Sequence, residues 1–129
     1  MSYLRIYTPE LPVDLKRQIA KEVTDALVRS LELPEDYRLH TTIHFIPFRP
    51  EDMAVGGELA VDNDELHYQV EVYDRYLMPP KKRVMAAELT AVLGRLLGLG
   101  SEKLGNIYVR FCEYALDDLA IGGIFLNQS

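Results

Sequence analysis

The sequence predicts a two-layer α+β protein in which a four-stranded sheet carries two helices on one of its faces. The first observation is an internal duplication: residues 50–57 (PEDMAVGG) match residues 116–123 (LDDLAIGG), a shift of 66 positions without a gap. The second is that each copy contains a helical pattern between two strand patterns, which indicates a β-α-β unit used twice. Such units close right-handedly with parallel strands, so two of them side by side place both helices on the same face.

The first copy begins with residues 3–7, whose apolar side chains alternate as they do in a half-buried strand. An amphipathic helix is predicted over about residues 13–31, because apolar residues recur there every four positions. These residues are Leu15, Ile19, Val23, Leu27 and Leu31. A turn is predicted at residues 33–36 and a second strand at residues 39–48, and Gly56-Gly57 then opens a small hairpin.

The second copy repeats this order. Its elements are a strand at residues 68–73, a helix over about 80–97, a turn at 98–105, a strand at 107–114 and a hairpin at Gly122-Gly123. No linker rich in Gly, Ser or Pro separates the copies, and 48% of the 129 residues are hydrophobic, which is enough for one shared core. We therefore predict a single domain over residues 1–129, made of two pseudo-repeats at about 1–63 and 67–129.

The charge, the hydrophobic pattern and the cysteine content limit the partners and the cellular compartment that the sequence is compatible with. The chain has 14 Lys and Arg against 20 Asp and Glu, a net charge of -6, so it offers no basic stripe to a nucleic acid. No apolar run approaches the roughly 20 residues of a membrane span, and no signal-peptide pattern opens the sequence. The single cysteine, Cys112, excludes an intrachain disulfide and is typical of a reducing compartment. We expect a cytoplasmic protein that binds neither nucleic acid nor membrane.

Neither a metal nor a cofactor is expected. His40 and His44 lie four positions apart on a predicted strand, a separation of about 13 Å that is too large for sharing one ion. Cys112 offers no chelating partner, and the glycines at 94, 98, 100 and 105 lack the spacing of a phosphate-binding loop.

One face of the predicted sheet carries no helix. Its strands have apolar and aromatic residues, and an uncovered apolar face calls for a partner surface. Self-association into a small closed oligomer is the expectation that follows.

Several segments resemble one known family. Residues 15–31 (LKRQIAKEVTDALVRSL), the Leu-Pro turn after them and residues 49–58 (RPEDMAVGGE) are similar to the tautomerase superfamily, and closest to its oxalocrotonate tautomerase type. Residues 106–114 (NIYVRFCEY) resemble the C-terminal strand of the macrophage migration inhibitory factor branch. The duplicated length fits that branch and the malonate semialdehyde decarboxylase branch. The resemblance implies a homotrimer in which the sheets face inward around a central barrel.

The family's defining residue is an N-terminal proline whose secondary amine moves protons, and this sequence begins Met1-Ser2-Tyr3 instead. Small penultimate residues permit removal of the initiator Met, so Ser2 is the candidate for a catalytic α-amine. An unperturbed α-amine has a pKa of about 7.7–8.0, so part of it is neutral near pH 7 and can act as a base. The alternative is that Ser2 is only the first residue of a strand.

The resemblance points to three more candidates in the second copy. Arg75 stands just after the third strand, where the decarboxylase branch holds its substrate carboxylate with an arginine, as suits the fork of a guanidinium. Tyr108 matches a substrate-site tyrosine of the inhibitory-factor branch and is a candidate catalytic residue. Arg110 lies about 7 Å away on the same strand face and is a candidate substrate ligand. The alternatives are a loop arginine paired with Asp74 and, for the two strand residues, contacts between subunits.

The first copy contributes the remaining candidates. Asp36 and Arg38, in the segment PEDYR, resemble the turn where the decarboxylase branch carries its water-activating aspartate. Asp36 is thus a candidate catalytic residue and Arg38 a candidate substrate ligand, and the alternative is an exposed salt bridge in a turn. Met53 replaces an aromatic residue that often lines the family's pocket before the Gly-Gly pair, so it is a candidate wall of the binding site.

The resemblance implies that this chain, with its non-proline N-terminus, is an enol–keto isomerase that acts on a small carboxylated carbonyl compound. A related dehalogenase or decarboxylase is one alternative. The other is a non-catalytic homotrimer that keeps the fold and uses the pocket only for binding.

Overall fold

The computed structural model describes residues 2–75 and 77–128, and its secondary structure repeats at the same shift as the sequence. The elements in chain order are β1 (Ser2–Thr8), α1 (Val13–Ser30), β2 (Thr41–Pro47), β3 (Ala54–Val55), β4 (Glu58–Leu59), α2 (Ala60–Asn63), β5 (Tyr68–Asp74), α3 (Pro79–Leu96), β6 (Ile107–Glu113), β7 (Ala120–Ile121) and β8 (Ile124–Phe125). Each of the first five elements begins and ends 66 positions before its counterpart in the second copy. The helix α2 has no helical counterpart among the described residues after β8.

Short 3₁₀ helices precede the second strand and the hairpin of each copy, at Glu35–His40, Pro50–Asp52, Ser101–Asn106 and Leu116–Asp118. They make β2 begin later than the sequence predicts, at Thr41 rather than at position 39. The carbonyl of Pro34 accepts a hydrogen bond from the N–H of Tyr37 at 3.0 Å, which winds this segment into a helical turn before the strand starts. Within the described ranges, no helix has the length and apolar composition that crossing a membrane requires.

One four-stranded sheet joins the two copies in the order β2-β1-β5-β6. β1 pairs in parallel with β2, and β5 pairs in parallel with β6. The copies meet where β1 runs antiparallel to β5, with Arg5 directly opposite Glu71. Because Arg5 and Glu71 are also counterparts in the repeat, this pair marks a pseudo-twofold axis between the two copies.

Both long helices pack on the same face of this sheet, which confirms the predicted two-layer α+β architecture. Leu4 and Ile6 of β1 and Val70 and Val72 of β5 are buried beneath them. The helices contribute two matched sets of buried side chains, Ile19, Val23 and Leu27 from α1, and Met85, Leu89 and Leu93 from α3. Each set recurs every four residues, so both copies bury the same helical stripe.

The opposite sheet face is not the apolar surface that the sequence predicts. Strand alternation places Tyr3, Arg5, Tyr7, Glu71 and Tyr73 on it. The hydroxyl of Tyr7 donates a hydrogen bond to Oε1 of Glu71 at 2.7 Å, and Nη1 of Arg5 lies 4.0 Å from the same oxygen. This uncovered face is therefore aromatic and charged, and its polar side chains contact one another.

Each copy ends in a hairpin whose turn is a Gly-Gly pair. Gly56 and Gly57 have φ angles of 61° and 84°, and Gly122 and Gly123 have 60° and 85°. Two successive positive φ angles give the tight turn that matches the twist of hairpin strands, and glycine adopts them without strain. The hairpins hold the residues just before them against the ends of the central strands, where the cavities of the molecule lie.

Candidate functional site

Two cavities open at opposite ends of the central pair of strands, and the repeat relates them. The first cavity, about 470 Å³, is lined by Ser2, Tyr3, Arg5, Thr42, Tyr73, Tyr114, Asp118, Leu119 and Ile121. The second cavity, about 300 Å³, is lined by Tyr7, Phe48, Asp52, Met53, Ala54, Val55, His67, Tyr68, Gln69 and Tyr108. Most of these positions are counterparts at the 66-residue shift, so the two copies form the same concavity twice with different side chains.

Ser2 and Asp74 meet at the first cavity. The antiparallel register pairs Tyr3 with Tyr73, which brings the first residue of β1 beside the last residue of β5. Ser2 is 2% exposed and Asp74 is 5% exposed. The hydroxyl of Ser2 donates a hydrogen bond to Oδ2 of Asp74, and the backbone N–H of Arg75 donates to Oδ1 at 2.7 Å. Both oxygens of this buried carboxylate therefore accept hydrogen bonds.

Two tyrosines and an arginine complete a polar group around this carboxylate. Burial raises the pKa of Tyr37, and the negative charge of Asp74 raises it further. Burial also raises the pKa of Tyr114, again with a contribution from Asp74. The guanidinium of Arg75 is close enough to both phenols to oppose these shifts, and its Nη1 is buried. We call Ser2, Tyr37, Asp74, Arg75 and Tyr114 the Asp74 cluster.

Arg5 lines the first cavity from the uncovered sheet face. Its Cζ lies 5.6 Å from the ring centre of Tyr3 and 5.4 Å from that of Tyr73, within the range of a cation–π interaction. Hydrogen bonds with Tyr3 and Tyr7 raise the pKa of the guanidinium, so Arg5 is charged at any physiological pH. The cavity thus has a permanent positive charge on its wall, although Asp118 also lines it, and the guanidinium fork of Arg5 is suited to an anionic group.

The structure divides the predicted site residues between the two cavities. Ser2 and Arg75 lie together in the Asp74 cluster, whereas Met53 and Tyr108 line the second cavity. Tyr108 shares a row of the sheet with Tyr7, five residues along β1 from Ser2. That distance is roughly 16 Å, so one chain does not bring Ser2 and Tyr108 to the same ligand.

The other three predicted residues line neither cavity. Asp36 is exposed in the 3₁₀ helix before β2. Arg38 makes ion pairs with Asp25 of α1 and with Glu35. Arg110 is exposed on β6, opposite Glu71 in the sheet. Their roles in binding or catalysis stay predictions.

Four residues at the first cavity were not predicted as site residues: Arg5, Tyr37, Asp74 and Tyr114. The signal that could have found three of them is the broken repeat, because the counterparts of Tyr37, Asp74 and Tyr114 are Lys103, Thr8 and Phe48. Tyr37 lies between two candidates, and only the 3₁₀ winding of its segment turns it inward while Asp36 stays exposed.

Solved structures of tautomerase-superfamily proteins have the same fold. Native fused 4-OT matches over 96% of this chain and 95% of its own, with a TM-score of 0.83 and 18% identity. N1, a member of the cis-3-chloroacrylic acid dehalogenase family, matches over 98% of this chain and 84% of its own, with a TM-score of 0.76 and 15% identity. The macrophage migration inhibitory factor of Toxoplasma gondii matches over 95% of this chain and 98% of its own, with a TM-score of 0.70 and 16% identity. These likenesses confirm the predicted superfamily fold.

No protein-family model matches the sequence, and no curated protein matches it. Among the structures that share its fold is a fused 4-OT described as a symmetric trimer, with a TM-score of 0.79 and 16% identity. Others are asymmetric trimers. Three of the solved structures with this fold are thus trimers.

Proposed function

We propose that this chain is an enol–keto isomerase that acts on a small carboxylated carbonyl compound in the first cavity. The observation that carries the proposal is the difference between the two cavities. The first adjoins the Asp74 cluster, whereas the second has Thr8, Pro9 and Phe48 at the positions of Asp74, Arg75 and Tyr114. Ionisable groups gathered in one of two equivalent places indicate a site with its own chemistry. The tautomerase-superfamily fold supports this class of reaction.

The proposed base is the α-amine of Ser2, which removal of Met1 would expose. A neutral amine takes the proton of the enol hydroxyl, and the ammonium so formed returns a proton to the carbon that becomes saturated. The Asp74 carboxylate favours the ammonium, and the Arg75 guanidinium favours the neutral amine. The two opposite charges at the cluster would thus set the fraction of base that is present near neutral pH.

Substrate binding in this proposal depends on Arg5, which lines the first cavity, and on Arg75 of the adjoining Asp74 cluster. Arg75, and Arg5 across the cavity, would pair with the substrate carboxylate. The hydroxyls of Tyr37 and Tyr114, whose raised pKa keeps them protonated, would donate hydrogen bonds to the enolate oxygen as its charge develops. Leu119, the counterpart of Met53, would form the apolar wall here.

We also propose that the chain forms a homotrimer, on the strength of the trimeric fused 4-OT structures that share its fold. The uncovered sheet face would then lie against other copies. Tyr108 and Arg110, which point to that face, would act on a neighbouring copy's ligand or serve as subunit contacts. Size-exclusion chromatography with light scattering measures the expected mass of three chains.

The test of the isomerase uses one preparation with two N-termini. A removable extension that ends just before Ser2 blocks the amine, and proteolytic removal of the extension frees it. We expect ultraviolet assays of phenylpyruvate and 2-hydroxymuconate ketonisation to show turnover only after cleavage. Arg75→Ala should lower kcat/KM by about tenfold or more, and Arg95→Ala, a helix arginine outside both cavities, should not. Rates equal to buffer after cleavage, or equal rates before and after it, contradict the proposal.

A non-catalytic binding protein is the second candidate, and the burial of Ser2 favours it. The Ser2 hydroxyl is committed to Asp74, and a carboxylate beside the N-terminus holds an amine in its protonated, inactive form. This candidate predicts that benzoate binds to the cleaved and to the extended protein with the same Kd, and that neither form turns over the enols. Calorimetric titration of both forms separates it from the isomerase.

A further inference from the structure

The 3₁₀ helix Glu35–His40 brings Tyr37 to the Asp74 cluster. It leads directly into β2, and the first residue of that strand, Thr41, is the register partner of Ser2 in the parallel pairing with β1. The chain therefore passes beside Ser2 as it leaves this helix. Tyr37 lies close enough to form a hydrogen bond with Ser2 and to be affected by the charge of Asp74. The placement of this short helix thus decides whether a phenol reaches the cluster.

Arg38 ties the Glu35–His40 helix to α1. Its Nη2 forms an ion pair with Oδ1 of Asp25 in α1, and its Nε forms a second one with Oε1 of Glu35 in the short helix. The side chains of Arg38 and Asp25 are 34% and 27% exposed, so their ion pair is half-buried. Burial raises the pKa of Asp25, but hydrogen bonds from Lys21 and Arg38 outweigh it and hold the pKa below its usual range. Both partners are therefore charged at neutral pH.

The equivalent 3₁₀ helix of the second copy, Ser101–Asn106, is held by apolar packing instead. Leu104 stands at the position of Arg38 and packs against the core. Gly94 of α3 makes room for it, since a Cβ there would lie only 2.5 Å from Cδ2 of Leu104. The first copy has the buried side chain of Val28 at the position of Gly94. Its short helix is thus attached through charge at the place where the second copy uses a leucine.

We infer that Arg38 is a positioning residue of the first cavity, which holds the hydroxyl of Tyr37 at the Asp74 cluster through its ion pair with Asp25. The inference rests on the proposed isomerase, in which that hydroxyl donates a hydrogen bond to the enolate oxygen. A small displacement of such a donor costs much of its effect. His40 supports the same ring, with its centroid 5.6 Å from that of Tyr37 in edge-to-face geometry. Arg38 therefore serves the site through Tyr37 and not as a ligand of the substrate.

The first test reads the surroundings of Tyr37 without turnover. NMR titration of the tyrosine Cζ carbons gives its pKa, and Tyr37→Phe identifies its resonance. Burial and the charge of Asp74 raise this pKa in the unsubstituted chain. Arg38→Ala should bring it down towards the ordinary value of about 10, because the ring leaves the buried carboxylate. Asp25→Asn removes the same ion pair from the side of α1 and should have the same effect.

Two matched variants control this titration. Arg38→Lys keeps a positive charge towards Asp25 and should keep the pKa of Tyr37 raised. Lys21→Ala removes the other partner of Asp25 and should leave that pKa unchanged. The variants should melt within a few degrees of the unsubstituted chain, because a partly exposed ion pair adds little to stability. A lowered Tm with an unchanged pKa of Tyr37 in both Arg38→Ala and Asp25→Asn would show a merely structural role and overturn the inference.

Kinetics of phenylpyruvate ketonisation separate positioning from substrate binding. Arg38→Ala should lower kcat about tenfold with little change in KM, and should cause no further loss in a Tyr37→Phe background. A raised KM in both backgrounds would mean that Arg38 binds the substrate carboxylate, which contradicts the inference. If the unsubstituted chain shows no ketonisation, the isomerase proposal fails, and the NMR titration still decides whether Arg38 positions Tyr37.

Discussion

The two cavities of this chain share a frame and differ in chemistry. Tyr7 and Tyr73, and likewise Asp52 and Asp118, occupy equivalent places on the two walls. The first cavity adjoins a buried carboxylate and has an arginine on its wall, and the second has several aromatic rings and neither Lys nor Arg among the described residues that line it. Positions that pack the helices against the sheet are matched in the two copies, whereas positions at the strand ends are free to differ. A duplicated unit can therefore change the chemistry of one cavity without disturbing the shared core.

The pseudo-twofold axis shows the same freedom at a single pair of residues. Two identical units would place like residues opposite each other at the axis, and like charges there are destabilising. Duplication within one chain instead allows Arg5 to face Glu71, with Nη1 and Oε1 4.0 Å apart. Glu71 also accepts the hydrogen bond of Tyr7. The axis is thus a place where the two copies must differ if both residues are charged.

The largest expected effect tests whether the two copies contribute equally to the core. Leu27→Ala and Leu93→Ala each remove a side chain that is 1% exposed, at equivalent places on α1 and α3. Each variant should lower the free energy of unfolding by about 3 kcal/mol, through lost burial and the cavity left behind. Urea denaturation measures both, and exposed Arg17→Ala serves as the control without effect. Losses that differ twofold between the two leucines would contradict a symmetric core.

The next effect separates the strand ends that the repeat makes equivalent. Asp74→Ala removes the acceptor of the Ser2 hydroxyl and of the Arg75 N–H, and should lower the free energy of unfolding by about 3 kcal/mol. Thr8→Ala, its counterpart on β1, removes a hydroxyl that donates to the carbonyl of Pro9 at 2.8 Å, and should cost about 1 kcal/mol. Equal losses in the same urea experiment would mean that the Asp74 carboxylate stabilises the fold no more than the Thr8 hydroxyl does.

A charge change at the axis should have a smaller effect. Glu71→Arg places two guanidiniums side by side and leaves the Tyr7 hydroxyl without its acceptor, so the Tm should fall by a few degrees. The exchanged pair, Arg5→Glu with Glu71→Arg, should recover part of that loss because opposite charges again face each other. Calorimetric melting curves give the Tm of the single variant and of the double variant. A double variant no more stable than Glu71→Arg alone would show that the axis does not depend on charge.

The smallest effect concerns the hairpin of the first copy. Arg49 lowers the pKa of Asp52 by its side-chain hydrogen bond, while the equivalent position before the second hairpin is Ala115. A carboxyl with a lowered pKa stabilises the folded chain above its unfolded pKa of about 3.9, and this gain is lost as the pH falls through the folded value. Arg49→Ala should raise the Asp52 pKa in a carboxyl-carbon NMR titration. Its stability should converge with that of the unsubstituted chain at low pH.

Most of the fold was predictable from the sequence because its causes are local and periodic. The four-residue spacing of Ile19, Val23 and Leu27 indicates a helix whatever surface it packs against. Gly56-Gly57 specifies a tight hairpin turn by backbone freedom alone. Handedness of β-α-β units then places both helices on one face. The uncovered face was less predictable, because the pairing of Tyr7 and Arg5 with Glu71 depends on which strands are neighbours.

The candidate site was predictable only in part. Ser2 and Arg75 were predicted as site residues from a resemblance, and the structure brings both to Asp74. Met53 and Tyr108 were also predicted as site residues, with the contributing subunit left open, and within one chain they line the second cavity. The sequence positions of these residues carry no information about the register of β1 against β5. It is this register that puts Ser2 at one end of the sheet and the row of Tyr108 at the other.

What the sequence determined by itself was the repeating unit, since helix stripes, strand alternation and glycine turns are set by interactions between near neighbours. What only the tertiary structure decided was how the two units meet. Antiparallel pairing of β1 with β5 creates the axis at Arg5 and Glu71 and brings Ser2 to Asp74, and the whole Asp74 cluster draws on four separate segments of the chain. Such contacts depend on long-range strand pairing, which no local pattern encodes.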